Sequence, residues 1–258
     1  MSFILTKMTH QQGPVLQYQL GDLELSQLLG HEIEIEFNGD IFCTECGNSI
    51  KKTYGDGYCY PCFSSLARTD ICIIKPHTCH FAQGTCREPE WGQAHCMIEH
   101  VVYLALTSGP KVGVTGANRV LERWGDQGAV CAIVLARTPD RRTAGLIEAA
   151  LANHMPDRTN WRKLITSEPD PINLLDLKSR VTDLVSKKLR QYLTEETQIE
   201  RIAYPVRRYL DKARSIKLDK QKLVSGPLEG IRGQYLLIGQ SALNVRRHCG
   251  YQVSLRIE

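Results

Sequence analysis

The sequence predicts an α+β protein. N-terminal β-strands run into a cysteine-rich region, a small α/β domain occupies the centre, and basic helices followed by further strands close the chain. Three observations predict this. Glu32-Ile33-Glu34-Ile35-Glu36-Phe37 alternates acid and apolar with period two, the pattern of a half-buried strand. Residues 100–155 read as strand, strand, helix, strand, helix. Residues 171–192 carry an apolar stripe at helical spacing, and strand-like segments return after Gly226. The expected organisation is 1–42, an N-terminal β segment; 43–99, a cysteine-rich region; 100–168, the α/β domain; and 169–258, the basic helical segment with its β region.

The elements follow in order. Val15 to Leu20 and Glu32 to Phe37 are strands, Asn38-Gly39-Asp40 has turn chemistry, and a strand through Ile41 and Phe42 delivers the chain to Cys43. Val101 to Leu106, the turn Thr107 to Pro110, and Lys111 to Thr115 make a hairpin. Asn118 to Trp124 is a short helix, Val130 to Leu135 an apolar and central strand. Asp140 to Met155 is a helix with Leu146, Ile147, Ala150, Leu151 and His154 at helical spacing. Asp170-Pro171 opens another, with Asp as N-cap and Pro at its first position. A further helix is expected from about Val206 to Ile216. Strands close the chain at Gln234 to Ile238, Leu243 to Arg247 and Tyr251 to Ile257.

Composition bounds the class. Apolar residues make up 42% of the 258 residues, enough to build a core. No run approaches the length of a membrane span and no leader pattern opens the chain, so a cytoplasmic location without membrane contact is expected. Ten cysteines are present, eight of them between Cys43 and Cys96. In a reducing compartment such crowding favours metal binding over disulfides. The net charge of +4 is uneven, because residues 171–258 carry 17 basic and 9 acidic side chains. That third suits a polyanion; a solvated helix face is the plainer reading.

Cys43-Thr-Glu-Cys46 and Cys59-Tyr-Pro-Cys62 are two CxxC pairs. Two such knuckles face four thiolates to one tetrahedral Zn²⁺, the pattern of a zinc ribbon. Gly47 follows the first pair where the backbone bends, and residues 51–58 read as the hairpin between the knuckles. Cys72, Cys79, Cys86 and Cys96 lack CxxC spacing, yet four thiols within so short a stretch suit a second Zn²⁺. Three cysteines with His80 or His100, an iron–sulfur cluster, and reduced thiols in a packed loop remain alternatives. Cys131, in an apolar strand, reads as a core residue.

From His100 the residues resemble a known pattern. Val101-Val102-Tyr103 and Lys111-Val112-Gly113 resemble the two-part signature of the GIY-YIG nuclease superfamily, with Arg123 on the next helix and Glu148 on the helix after the third strand. The resemblance covers about residues 100–155. It implies a small α/β fold in which Tyr103 helps activate water, Arg123 steadies the scissile phosphate and Glu148 holds Mg²⁺. Val101 replaces the first Gly of the signature and Lys111 its second Tyr. Lys111 would serve as a base if burial lowers its pKa, and otherwise as a phosphate ligand. The whole chain also resembles an uncharacterised bacterial family with no assigned activity, through residues 79–91, 123–129 and 157–161.

Three functions follow from this reading. The first is a zinc-containing protein that binds RNA or DNA on a GIY-YIG-like core, with Lys187, Lys188, Arg190, Arg246 and Arg247 as contacts to nucleic acid. The second is an active Mg²⁺-dependent phosphodiesterase that uses Tyr103, Lys111, Arg123 and Glu148. The third is a zinc-stabilised scaffold that touches only protein.

Overall fold

A computed structural model describes residues 1–258. The chain divides into two compact units. One comprises residues 1–64, 161–168 and 202–258, and the other residues 65–160 and 169–201. The division falls inside the cysteine-rich stretch, so the CxxC pairs and the later cysteines belong to different units. The architecture is mixed α+β with antiparallel sheets. No helix is long and apolar enough to cross a membrane.

The first unit is built on a seven-stranded sheet. Its order is Ser2–Ile4, Tyr251–Ile257, Glu32–Phe42, Leu223–Arg232, Tyr235–Ile238 and Ser241–Asn244, with Ser49–Ile50 paired to the Glu32–Phe42 strand. The period-two pattern does what it predicts: Ile33, Ile35 and Phe37 are buried, while Glu34 turns outward to pair with Arg256 at 2.5 Å. A separate three-stranded sheet joins Thr9–Gln11, Gln17–Leu20 and Leu23–Glu24.

The helix expected at 206–216 does not form. Pro205 precedes it, and the segment gives its backbone groups to neighbouring strands. Arg207 N donates to Glu229 O at 2.8 Å and Ile216 N to Ala242 O at 2.9 Å, and Ser215 bridges Ala242. Tertiary pairing here overrides local periodicity. The short Trp161–Thr166 helix joins this unit through Arg232, the bulkiest fully buried side chain. Its Nη1 donates to Leu164 O, Ser167 O and Tyr209 Oη at 3.3, 3.1 and 3.1 Å, a cation set against the carbonyl end of a helix.

The second unit carries a four-stranded sheet in the order Glu200–Arg201, Cys131–Thr138, His100–Leu106 and Pro110–Gly116. Helices Val120–Asp126, Arg141–Ala152 and Leu174–Thr182 complete it. Val102, Leu104, Val112, Ile133 and Leu135 from the sheet and Ala144, Ile147, Leu151, Leu177 and Val181 from the helices form one core. Cys131 belongs to that core. The helix expected from Asp170 is shorter and later. Asn173 caps it, its Oδ1 accepting from Leu175 N at 3.0 Å and Asp176 N at 3.3 Å. The helix ends at Thr182, and a short 3-10 turn follows at Arg190–Tyr192. Asn at the cap out-competes an earlier start because its side chain satisfies two open N–H groups.

Candidate functional site

Two groups of chemistry-bearing residues stand out in the second unit, and one in the first. The first unit holds the CxxC pairs. The Glu32–Phe42 strand ends at Cys43; Gly47, at φ 71°, lets Gly47 N return to Cys43 O at 2.9 Å and closes the first knuckle. Tyr54 and Tyr58 bridge across a turn. Gly57 is required there: φ is 99°, and a Cβ would meet Thr44 Cγ2 at 2.5 Å and Cys249 O at 2.7 Å. The Tyr60–Ser65 helix then raises Cys62.

The donor atoms of Cys43, Cys46, Cys59 and Cys62 lie within 4.8 Å of one another, and Cys46 Sγ is 3.9 Å from Cys59 Sγ. The thiols cannot all ionise side by side without a cation. Burial opposes it, yet the N–H groups of Cys46, Cys59 and Glu45 hold Cys43 down to about 6. Cys62 is pushed up to about 12, first by its hydrogen bond with the Cys59 thiol. Four thiolate donors around one point fit a tetrahedral zinc ion of the closed, structural kind, and the set can hold one.

The second group is ionisable and lies on the four-stranded sheet. The hairpin register pairs Tyr103 with Gly113 and Ala105 with Lys111, so Tyr103, Lys111 and Gly113 share one face of the sheet. Gly113 is there because the phenol needs its space: a Cβ would stand 2.4 Å from Tyr103 Oη. Trp124 meets the Tyr103 ring edge-on at 5.9 Å. Tyr103 Oη is 2.6 Å from the Gln127 amide. With that amide turned so that its oxygen faces the guanidinium, Gln127 accepts from Arg123 Nη2 at 2.9 Å and Nε at 3.0 Å.

The charges of Lys111, Arg123, Glu148 and Asp157 act on one another. Tyr103 and Lys111 are buried, Arg123 and Glu148 half-buried, and Asp157 exposed. Burial first, and Arg123 second, lower Lys111 to about 8 against the pull of Glu148 and Asp157. Burial raises Glu148 to about 7 against the pull of Lys111 and Arg123. Burial also raises Tyr103, against Arg123. The four residues expected from the sequence therefore stand together. Gln127, Asp157 and Arg141 join them without a sequence signal of their own as site residues. Only the family likeness of residues 123–129 and 157–161 points towards two of the three.

The third group lies against the Arg141–Ala152 helix, which carries Glu148. Cys72, Cys79, Cys86 and Cys96 line one small cavity with Asp70, His80, Phe81, Arg87 and Trp91. Burial pushes Cys72 up to about 12 and Cys96 to about 11, and neighbouring thiols add to both.

The remaining expected contacts differ in availability. Lys187, Lys188 and Arg247 are exposed. Arg190 donates to Val185 O and Asp183 O at 2.9 and 3.0 Å, and Arg246 grips Asp56 at 2.9 and 2.5 Å. Arg246 and Arg247 lie on a 3-10 turn, Arg246–His248, after the Ser241–Asn244 strand rather than on a strand end. His100 Nδ1 is 2.9 Å from Ile98 O.

The model of one protein family matches residues 30–253, across both units; its description is a protein of unknown function, DUF2797. No curated protein matches the chain. No solved structure matches it either.

Proposed function

Since the chain belongs to the DUF2797 family, whose description assigns no activity, its chemistry is to be read from the site, and we propose that it binds nucleic acid and hydrolyses a phosphodiester bond at the Lys111–Arg123–Glu148 group. The observation that carries this is geometric: Tyr103 and Lys111 share one face of the sheet, the charges of Arg123, Glu148 and Asp157 act on Lys111 there, and burial lowers the lysine while it raises the glutamate. Opposed perturbations among neighbouring groups mark acid–base assignments, and the resemblance to the GIY-YIG superfamily names the same residues.

Neutral Lys111 takes a proton from the attacking water as its oxygen bonds to phosphorus, the bond from phosphorus to the leaving oxygen breaks, and the departing alkoxide takes a proton from solvent. Its pKa lies near the working pH, where a general base is most effective. Arg123 holds the scissile phosphate as a bidentate donor, aimed by Gln127. Tyr103 is fully enclosed and bonded to Gln127, so it positions Arg123 through that amide rather than meeting water itself. Glu148 and Asp157 offer hard oxygen donors suited to Mg²⁺, which when bound would neutralise charge on the leaving oxygen. Lys187 and Lys188, in the same unit as this group, supply exposed cations for the polyanion, and Arg247 is an exposed cation of the other unit. The CxxC set holds structural Zn²⁺, and the later cysteines a second ion.

The test is cleavage of structured DNA and RNA with Mg²⁺ by the full chain and by Lys111→Met, Arg123→Met and Glu148→Gln, with filter binding in parallel. Loss of cleavage with binding retained in Lys111→Met and Glu148→Gln supports the reading. Salt-dependent binding without cleavage by the wild-type chain reduces it to the binding module. No retention of nucleic acid at all leaves the protein scaffold.

A further inference from the structure

We infer that Cys72, Cys79, Cys86 and Cys96 hold one zinc ion, and that the loop ordered around it fixes the Arg141–Ala152 helix that presents Glu148. The importance of Glu148 rests on the proposed phosphodiester site; the metal centre and its grip on the helix do not.

The four thiols line one small cavity, and four thiolate donors suit a single tetrahedral zinc ion. Cys72, Cys79 and Cys96 are buried together against Phe81 and Trp91, and none of the four is in a disulfide. The Ile71–Ile74 turn of helix, the 3-10 turns Pro76–Thr78 and Phe81–Gln83 and the Pro89–Cys96 helix, which ends on Cys96, bring them there, and the apolar cluster around them is small. The other donors nearby are already turned to supporting roles. Asp70 accepts from Cys72 N at 3.2 Å and pairs with Arg87 Nε at 2.8 Å. His80 stands 3.7 Å from Asp70 by Nε2 and 2.8 Å from Thr85 Oγ1 by Nδ1. Asp70, Cys72 and His80 bring donor atoms within 4.8 Å of one another, so the carboxylate and the imidazole flank the Cys72 side of the centre within ligand reach of the same ion.

The loop is bolted to the helix at two points. Arg141, in the first turn, donates to Ile73 O at 2.7 Å and Cys72 O at 3.4 Å, gripping the backbone of a ligand. One turn on, Gly145 lies flush against the loop: a Cβ there would stand 2.1 Å from His77 N and 2.4 Å from Pro76 C. Glu148 follows one turn later on the same helix. The Arg141 charge also faces Cys72, Cys79, Cys96 and Glu148, so it offsets the negative charge of a four-thiolate zinc centre.

The experiment measures zinc and iron per chain by elemental analysis of the full-length protein purified under reductant, with amide hydrogen exchange of residues 141–152. Two zinc ions per chain are expected in the wild type, and one each in Cys72→Ser/Cys96→Ser and Cys43→Ser/Cys46→Ser. Exchange in the helix should quicken about tenfold or more in the first variant and stay unchanged in the second. Arg141→Met should keep both zinc ions while loosening the helix, and Arg141→Lys should recover part of the protection. If Cys72→Ser/Cys96→Ser does not fold, wild-type stoichiometry, native-state alkylation of the four thiols and the Arg141 pair still decide. One zinc per chain, iron in place of zinc, ready alkylation of the four thiols, or unaltered exchange in Arg141→Met overturns the inference. None of these readouts depends on cleavage.

Discussion

Replacing Gly113 with alanine puts the packing beneath the site under direct strain. The added methyl would lie 2.4 Å from Tyr103 Oη and 2.5 Å from its Cζ, against about 3.5–4.0 Å for ordinary contact. The ring must therefore retreat by about 1 Å. It has nowhere to go: Tyr103 is fully buried, Trp124 stands edge-on at 5.9 Å, and Gln127 holds the hydroxyl at 2.6 Å. Overpacking costs about 1–3 kcal/mol, and the stretched Tyr103–Gln127 bond about 1 kcal/mol more. At about 2–4 °C per kcal/mol for a chain of this size, the second unit should melt about 5–15 °C lower by calorimetry. In Tyr103→Ala/Gly113→Ala the methyl enters emptied space, so the double variant should be more stable than the sum of the singles by about 1 kcal/mol or more. A Gly113→Ala protein within about 0.5 kcal/mol of wild type, or strict additivity in the cycle, would refute the packing argument.

Three shorter predictions follow from the same geometry. Glu148 is raised from 4.5 to about 7, so the folded state keeps a proton that the unfolded chain releases. The stability tied to that proton is whole below pH 4.5 and is lost as pH rises through 7, up to about 3 kcal/mol. Glu148→Gln should flatten this part of the urea midpoint profile between about pH 5 and 7.5 without added divalent cations, and an unchanged slope would count against the burial of Glu148. Asp140 caps the Arg141–Ala152 helix by accepting from Thr143 N at 2.8 Å and Thr143 Oγ1 at 2.7 Å; Asp140→Ala should cost about 1 kcal/mol, read from chemical denaturation. Cys59→Ser should release one zinc ion per chain and unfold the knuckle region, since structural zinc contributes about 10–16 kcal/mol in comparable small sites. Full zinc content in that variant would remove Cys59 from the donor set.

What can be read from the sequence follows from how local each signal is. The hairpin at 100–116 is legible because its apolar strand run and the turn at Ser108-Gly109-Pro110 agree, and both are local. The CxxC set is legible because its ligands come from two neighbouring turns. The 206–216 segment misleads because Val206, Leu210 and Ala213 fall at helical spacing and share one apolar cluster, while its real partners, Glu229, Gly230 and Ala242, lie far along the chain. Gln127 and Asp157 carry no signal of their own; only the folded register of Tyr103 and Lys111 brings them into range. The division inside the cysteine-rich stretch is invisible for the same reason. Composition groups all eight cysteines together, whereas packing gives four to each unit.

The role of Lys111 is the point on which catalysis and mere binding separate, and one substitution addresses it. A lysine drawn to about 8 can lose its proton at working pH, and an arginine cannot. Lys111→Arg therefore keeps the positive charge that would hold a phosphate and abolishes the base. If Lys111 takes the proton of water, cleavage should fall about 10²–10⁴-fold while filter-binding affinity stays close to that of wild type. If Lys111 only holds the phosphate, cleavage should survive Lys111→Arg and fall with Lys111→Met. The buried position leaves little room for a guanidinium, so the melting temperature of each variant is read alongside. A pH profile of the wild type supplies the second check, since a rate limited by this base should climb through about pH 8 and level off above it. Retained cleavage in a stably folded Lys111→Arg protein would remove the base from Lys111 and leave it as a phosphate ligand.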